Sequence, residues 1–133
     1  MGIAPNYSNS VEITGDGTLV INVKGENYDG ISSGADVKIS DKARVIINSE
    51  GGLGIAGRMV EIDGATVDST GLYAGIDAHG LKIVNGAEVS CTSTANSAIW
   101  TKGDILIKGG AKVTTDGKYP WAVTVLYRRR SRD

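Results

Sequence analysis

Apolar and polar residues alternate along this chain in short bursts that return every two dozen residues or so. Four copies are plain: Val37-x-Ile39-x-x-x-Ala43-x-Val45, Val60-x-Ile62-x-x-Ala65-x-Val67, Leu81-x-Ile83-x-x-x-Ala87-x-Val89 and Ile105-x-Ile107-x-x-x-Ala111-x-Val113. A lone anchor precedes each copy, at Ile31, Ile55, Ile76 and Ile99, and Val123 restarts the cycle. Alternation at period 2, as in Val37-Lys38-Ile39-Ser40, marks half-buried strands and excludes helix. Turn-forming pairs separate the two bursts of each copy: Asp41-Lys42, Asp63-Gly64, Asn85-Gly86 and Gly109-Gly110.

Units of this length cannot bury an apolar face alone and must stack on their neighbours. The spacing predicts an all-β fold, a single-stranded right-handed parallel β-helix (β-solenoid) of about five to six turns with roughly 21–24 residues per turn. Equivalent strands then lie ~4.8 Å apart and build apolar columns. Val37, Val60, Leu81 and Ile105 form one column; Ile39, Ile62, Ile83 and Ile107 form the next. Two more follow, through Ala43, Ala65, Ala87 and Ala111 and through Val45, Val67, Val89 and Val113. Outside, Lys38, Glu61 and Lys82 alternate in sign, so adjacent rungs attract. The expected organisation is an N-terminal edge strand or cap over residues 1–18 containing Val11-Glu12-Ile13, the β-helix over 19–126, and a basic tail over 127–133. Open ends of such a stack require a cap or end-to-end self-association.

The composition suits narrow strand layers: 41% of residues are hydrophobic, with no Phe, 19 Gly and only two Pro. At 133 residues the chain is one domain of the usual size. Net charge is −1; four Arg and one Asp in residues 128–133 leave the rest at −4. An Arg run of this kind reads as a solvated terminus, since nothing upstream adds a basic face, and no nucleic acid partner is expected. Cys91 is the only cysteine, so no intrachain disulfide exists, and its place two residues after Val89 predicts a core side chain. No apolar run approaches the ~18 residues of a membrane span.

Catalysis finds no readable constellation. His79 is the only histidine, placed beside Gly80 at an expected corner on the surface, with no nucleophile spaced to share its proton. Gly51-Gly52-Leu53-Gly54 lacks the Lys-Ser/Thr ending of a phosphate loop. Asp29, Asp77 and Asp104, near the anchors of their turns, are candidate calcium ligands, because calcium gathers six to eight oxygens from carboxylates and carbonyls; the same residues also suit ordinary turns. Of seven aromatic residues, five lie close to an anchor: Tyr28, Tyr73, Trp100, Tyr119 and Trp121. Stacked rungs would gather these rings along one edge, where they could bind the flat faces of sugars or simply shield a Gly-rich corner. Thr70, Thr92, Thr94, Thr114 and Thr115 follow the last strand of their copies, but Glu50 and Asp68 interrupt any Thr lattice that could order ice.

The wording of the copies Gly75-Ile76-Asp77-Ala78-His79-Gly80-Leu81-Lys82-Ile83-Val84-Asn85-Gly86-Ala87-Glu88-Val89 and Ala98-Ile99 through Ala111-Lys112-Val113 resembles the repeats of bacterial surface β-helix proteins. The likeness, over about residues 30–115, is in particular to calcium-dependent carbohydrate-binding modules that recognise acidic plant polysaccharides. It implies an acidic residue beside a Gly-Ile corner that helps to bind calcium; Asp29-Gly30-Ile31 matches, whereas Ala74-Gly75-Ile76 and Ser97-Ala98-Ile99 do not. The expected function is a non-catalytic carbohydrate-binding module of a bacterial secreted or cell-surface protein, with a polysaccharide as partner, calcium as its aid and any export leader already shed. The alternative is a structural solenoid, an adhesin or stalk segment acting through rigidity and end-to-end contacts.

Overall fold

The computed structural model describes residues 2–4, 9–118 and 123–125. Among these there is no helix. The strands are β1 (Val11–Ile13), β2 (Thr18–Glu26), β3 (Ile31–Ser32), β4 (Val37–Ser40), β5 (Arg44–Gly51), β6 (Leu53–Asp63), β7 (Thr66–Gly71), β8 (Ala74–Val84), β9 (Glu88–Ser93), β10 (Ile99–Thr101), β11 (Ile105–Ile107), β12 (Lys112–Asp116) and β13 (Val123–Val125). Every pairing is parallel. The chain winds into a β-solenoid of about five turns.

Two sheets form the walls. One has the order β1-β4-β6-β8-β10-β13, with β3 on β6 and β11 on β8; the other runs β12-β9-β7-β5-β2. The anchors stack in register, Ile31 on Ile55, Ile55 on Ile76, Ile76 on Ile99 and Ile99 on Val123, giving coils of 24, 21, 23 and 24 residues. All four expected apolar columns are present. Their central members, from Val37, Ile39 and Val45 through Leu81 and Ile83, are almost wholly buried, and complete burial of an Ile or Leu contributes about 1.5–3 kcal/mol. Cys91 is buried in the same core, in the column of Ile47 and Ser69.

The columns reach further toward the N-terminus than residue 19. Val11 pairs with Val37 and Ile13 with Ile39, and Ile3 bridges Ile31, so the expected edge strand belongs to a first coil built like the others. The basic tail over 127–133 lies outside the described residues.

Each coil turns from the first sheet to the second on left-handed backbone. Asp41 (φ 62°), Gly64 (φ 76°), Asn85 (φ 59°) and Gly109 (φ 70°) all adopt it. These are the residue types that reach this region at little steric cost. Outside the first sheet, Glu12, Lys38, Glu61 and Lys82 follow one another in register, and Lys38 Nζ lies 3.9 Å from Glu61 Oε2. Both side chains keep solvent contact, so the pair contributes at most ~1 kcal/mol.

Candidate functional site

The opposite corner, where each coil returns from the second sheet to the first, is built from glycine and serine. A Cβ on Gly30 would sit 2.7 Å from the Gly54 carbonyl oxygen, one on Gly54 2.5 Å from that of Gly75, and one on Gly75 2.6 Å from that of Ser69. Coils approach here backbone to backbone, which only glycine permits. Buried serines serve the corner carbonyls: Ser49 Oγ donates to Tyr28 O at 2.6 Å, Ser69 Oγ to Gly75 O at 2.7 Å and Ser93 Oγ to Leu72 O at 2.9 Å. The segment Gly51-Gly52-Leu53-Gly54 is one course of this corner.

Tyr28 and Tyr73 stand outside the corner and are about half exposed. Tyr73 N–H and Leu72 N–H both reach the Gly52 carbonyl, and the Tyr28 carbonyl oxygen lies where a Gly52 Cβ would go. Tyr28 and Tyr73 therefore lie in register on either side of Gly52, a position that carries no side chain. The Tyr28 ring also folds over Gly25, its Cδ2 only 2.9 Å from the position of a Gly25 Cβ. Shielding of glycine backbone is thus part of what this ring does.

Trp100 sits elsewhere. It is an outward, partly buried residue of β10, past the anchor Ile99, and it lies in register with Asp77 of β8 and Ala56 of β6. The single aromatic edge expected from spacing divides into two groups, Tyr28 with Tyr73 on the corner and Trp100 on the sheet face. Four residues separate the Tyr73 and Trp100 positions along a coil, a path of roughly 13 Å in extended strand. Tyr119 and Trp121 lie outside the described residues.

Asp77 is half-buried beneath Trp100. Burial pushes its carboxyl above the ordinary value of 3.8; Lys102 and His79 pull it down, and Asp29 pushes it up. Lys102 N–H bonds the Ala78 carbonyl at 3.1 Å, setting Lys102 over His79, and the pairing of Gly57 with Ala78 and Met59 with Gly80 sets His79 over Arg58. Arg58, His79 and Lys102 are all exposed. A column of basic side chains thus runs beside the column of Ala56, Asp77 and Trp100, and Asp36 holds its lower end through a 3.3 Å contact to the Arg58 guanidinium. His79 is on the surface as expected, within β8 rather than at a corner.

The three candidate calcium ligands are dispersed. Asp29 is on the glycine corner, where its Oδ1 accepts the Leu53 N–H at 2.9 Å. Asp77 is on the sheet face, and Asp104 is exposed in the link to β11. Among the described residues no three His, Cys, Asp or Glu side chains form a metal-binding group. Two carboxylates close enough to influence each other, Asp29 and Asp77, supply only part of the six to eight oxygens that calcium takes.

A second surface was not foreseen. The outward side of the five-stranded sheet carries a shallow groove of about 290 Å³ lined by Arg44, Ile46, Thr66, Asp68, Glu88 and Lys112, among others. The six named residues occur at outward positions of β5, β7, β9 and β12, and the alternation of each strand contains the signal for them. The lining of the groove has no aromatic ring, and in the nearby column Asn22, Asn48, Thr70, Thr92, Asp116 only two adjacent positions are threonine. No family model, curated protein or solved structure matches the chain.

Proposed function

We propose that this solenoid is a non-catalytic carbohydrate-binding module of a bacterial secreted or cell-surface protein, and that the sugar lies against the outward face of β8 and β10. The observation that carries this reading is the placement of Trp100 in register with Asp77 and beside Lys102. An indole face offers a stacking platform for the C–H groups of a pyranose, and a neighbouring carboxylate and ammonium can address its hydroxyls or carboxylates.

Calcium enters this proposal as a bridge. Asp77 brings negative charge to this face, so an anionic polymer gains from a cation between the two, with oxygens of the sugar and water completing the shell. Neutral glycans need no such bridge.

The test is a glycan array and isothermal titration with the purified chain, in calcium and in chelator, beside Trp100→Ala. Loss of binding in Trp100→Ala with an unchanged circular dichroism spectrum is the expected outcome. Silence on acidic and neutral polysaccharides in both conditions would overturn the reading.

A further inference from the structure

Asn85 is the only asparagine in the chain that a glycine follows. Asn85 and Gly86 sit on the left-handed backbone that turns β8 toward β9, at φ 59° and 76°, and both are exposed. Contacts with the coils on either side pin the pair. The Asn85 amide donates from Nδ2 to Asp63 Oδ1 of the preceding coil at 2.7 Å, and the Gly86 N–H donates to the Gly109 carbonyl of the following coil at 2.8 Å. The following coil comes close: a Cβ on Gly109 would stand 2.9 Å from the Asn85 backbone nitrogen and 3.4 Å from its Oδ1.

An asparagine amide and the backbone nitrogen after it are a reactive pair. Once that nitrogen gives up its proton, it can attack the side-chain Cγ and close a succinimide ring, and glycine has no side chain to obstruct the approach. In the stack both partners are engaged. The Gly86 hydrogen is held by a carbonyl, and the Asn85 amide lies against a carboxylate whose charge opposes the negative charge that builds on Oδ1 during attack.

We propose that Asn85 is a site of spontaneous modification, to isoaspartate and aspartate, which the stacked coils hold off and which opening of the segment over residues 105–110 releases. The Gly86 nitrogen forms a bond to Cγ, the Cγ–Nδ2 bond breaks, and the amide nitrogen leaves as ammonia with the proton that Gly86 lost. Water then opens the ring at either carbonyl, giving isoaspartate or aspartate. No other reactant is needed. The proposal is independent of sugar binding.

The reaction runs one way, and its products fit the stack less well. Isoaspartate adds a main-chain carbon between positions 85 and 86, which carries the Gly86 N–H away from the Gly109 carbonyl. Aspartate sets a carboxylate where the amide now donates to Asp63, and like charges so placed repel. A coil that opens and reacts therefore recloses less firmly, and modification accumulates as a record of opening. Its rate in the folded chain follows the population of the open form.

The experiment is a time course on the full chain in native buffer and in guanidinium chloride, with peptide mass mapping that resolves asparagine, aspartate and isoaspartate at position 85. Asp63→Ala and Ile105→Ala run beside it, the second loosening β11 without touching Asn85, with circular dichroism to confirm folding. Conversion in native buffer should be at least about tenfold slower than in denaturant. Both variants should convert faster than the parent in native buffer. Asn85→Asp should melt below the parent, by a margin that shrinks when Asp63→Ala is added. Equal rates in native buffer and denaturant would overturn the protection by the stack, and an unmodified position 85 in denaturant would overturn the site itself. Native rates unchanged in both variants would remove the roles given to Asp63 and β11.

Discussion

Ser69 Oγ donates a 2.7 Å hydrogen bond to the carbonyl of Gly75, fastening the end of β7 to the start of β8 inside the core. Ser69 has no solvent exposure, and a Cβ on Gly54 would lie on top of its hydroxyl. Replacing it by alanine removes this buried side-chain donor from the carbonyl. Ser69→Ala should therefore lower the unfolding free energy by about 1–3 kcal/mol, measured by urea titration. A loss under ~0.5 kcal/mol would show that the corner does not depend on this bond.

Asp77 gives the fold a pH response of definite sign. Burial holds its carboxyl above the ordinary 3.8 despite Lys102 and His79. A group whose pKa is raised on folding binds its proton more tightly in the native state, so ionisation weakens the fold as pH rises through the window above 3.8. Asp77→Asn should melt higher than the parent chain near pH 7, and the gap should shrink as pH falls toward 3.8. Thermal melts of both proteins across this range check it; an Asn variant that melts lower near pH 7 would mean that the charge contacts outweigh burial.

Cys91 should be silent toward thiol reagents. Burial, with a smaller push from Asp68, raises its thiol to about 12, and its side chain has no solvent exposure. The reactive thiolate is thus scarce as well as enclosed. Labelling by a disulfide reagent in native buffer should be slow and should become rapid in denaturant; the native rate then reports opening of the coil that holds β9. Prompt labelling of the folded chain would contradict this.

The apolar columns were legible because Val and Ile at period 2 recur at a second, longer period, and only a stack satisfies both. The sign alternation at Lys38, Glu61 and Lys82 belongs to the same logic. The first coil was partly hidden. Val11 precedes Leu19 by the same eight residues that separate Val37 from Val45, a usable signal, but Ile3 stands alone in a stretch of irregular spacing.

The glycine and serine corner was illegible for a different reason. Small residues carry little hydropathy signal, and the need for glycine at Gly54 or Gly75 appears only when the neighbouring coil is in place. Likewise, nearness to an anchor grouped Tyr28, Tyr73 and Trp100, yet the chain bends between them. Tyr73 lies before the turn onto the sheet and Trp100 after it, so proximity along the chain overstated proximity in space.

The parallel register of Ile31, Ile55, Ile76, Ile99 and Val123 asks for one suitable side chain per coil and nothing from any particular coil number. Length is consequently a free variable of this architecture. Duplicating or deleting one whole repeat would leave every column continuous and both outward faces intact, changing reach by a single strand spacing of ~4.8 Å. A gene encoding such a chain can therefore tune the span of its product in uniform increments, without redesigning the core that makes it fold.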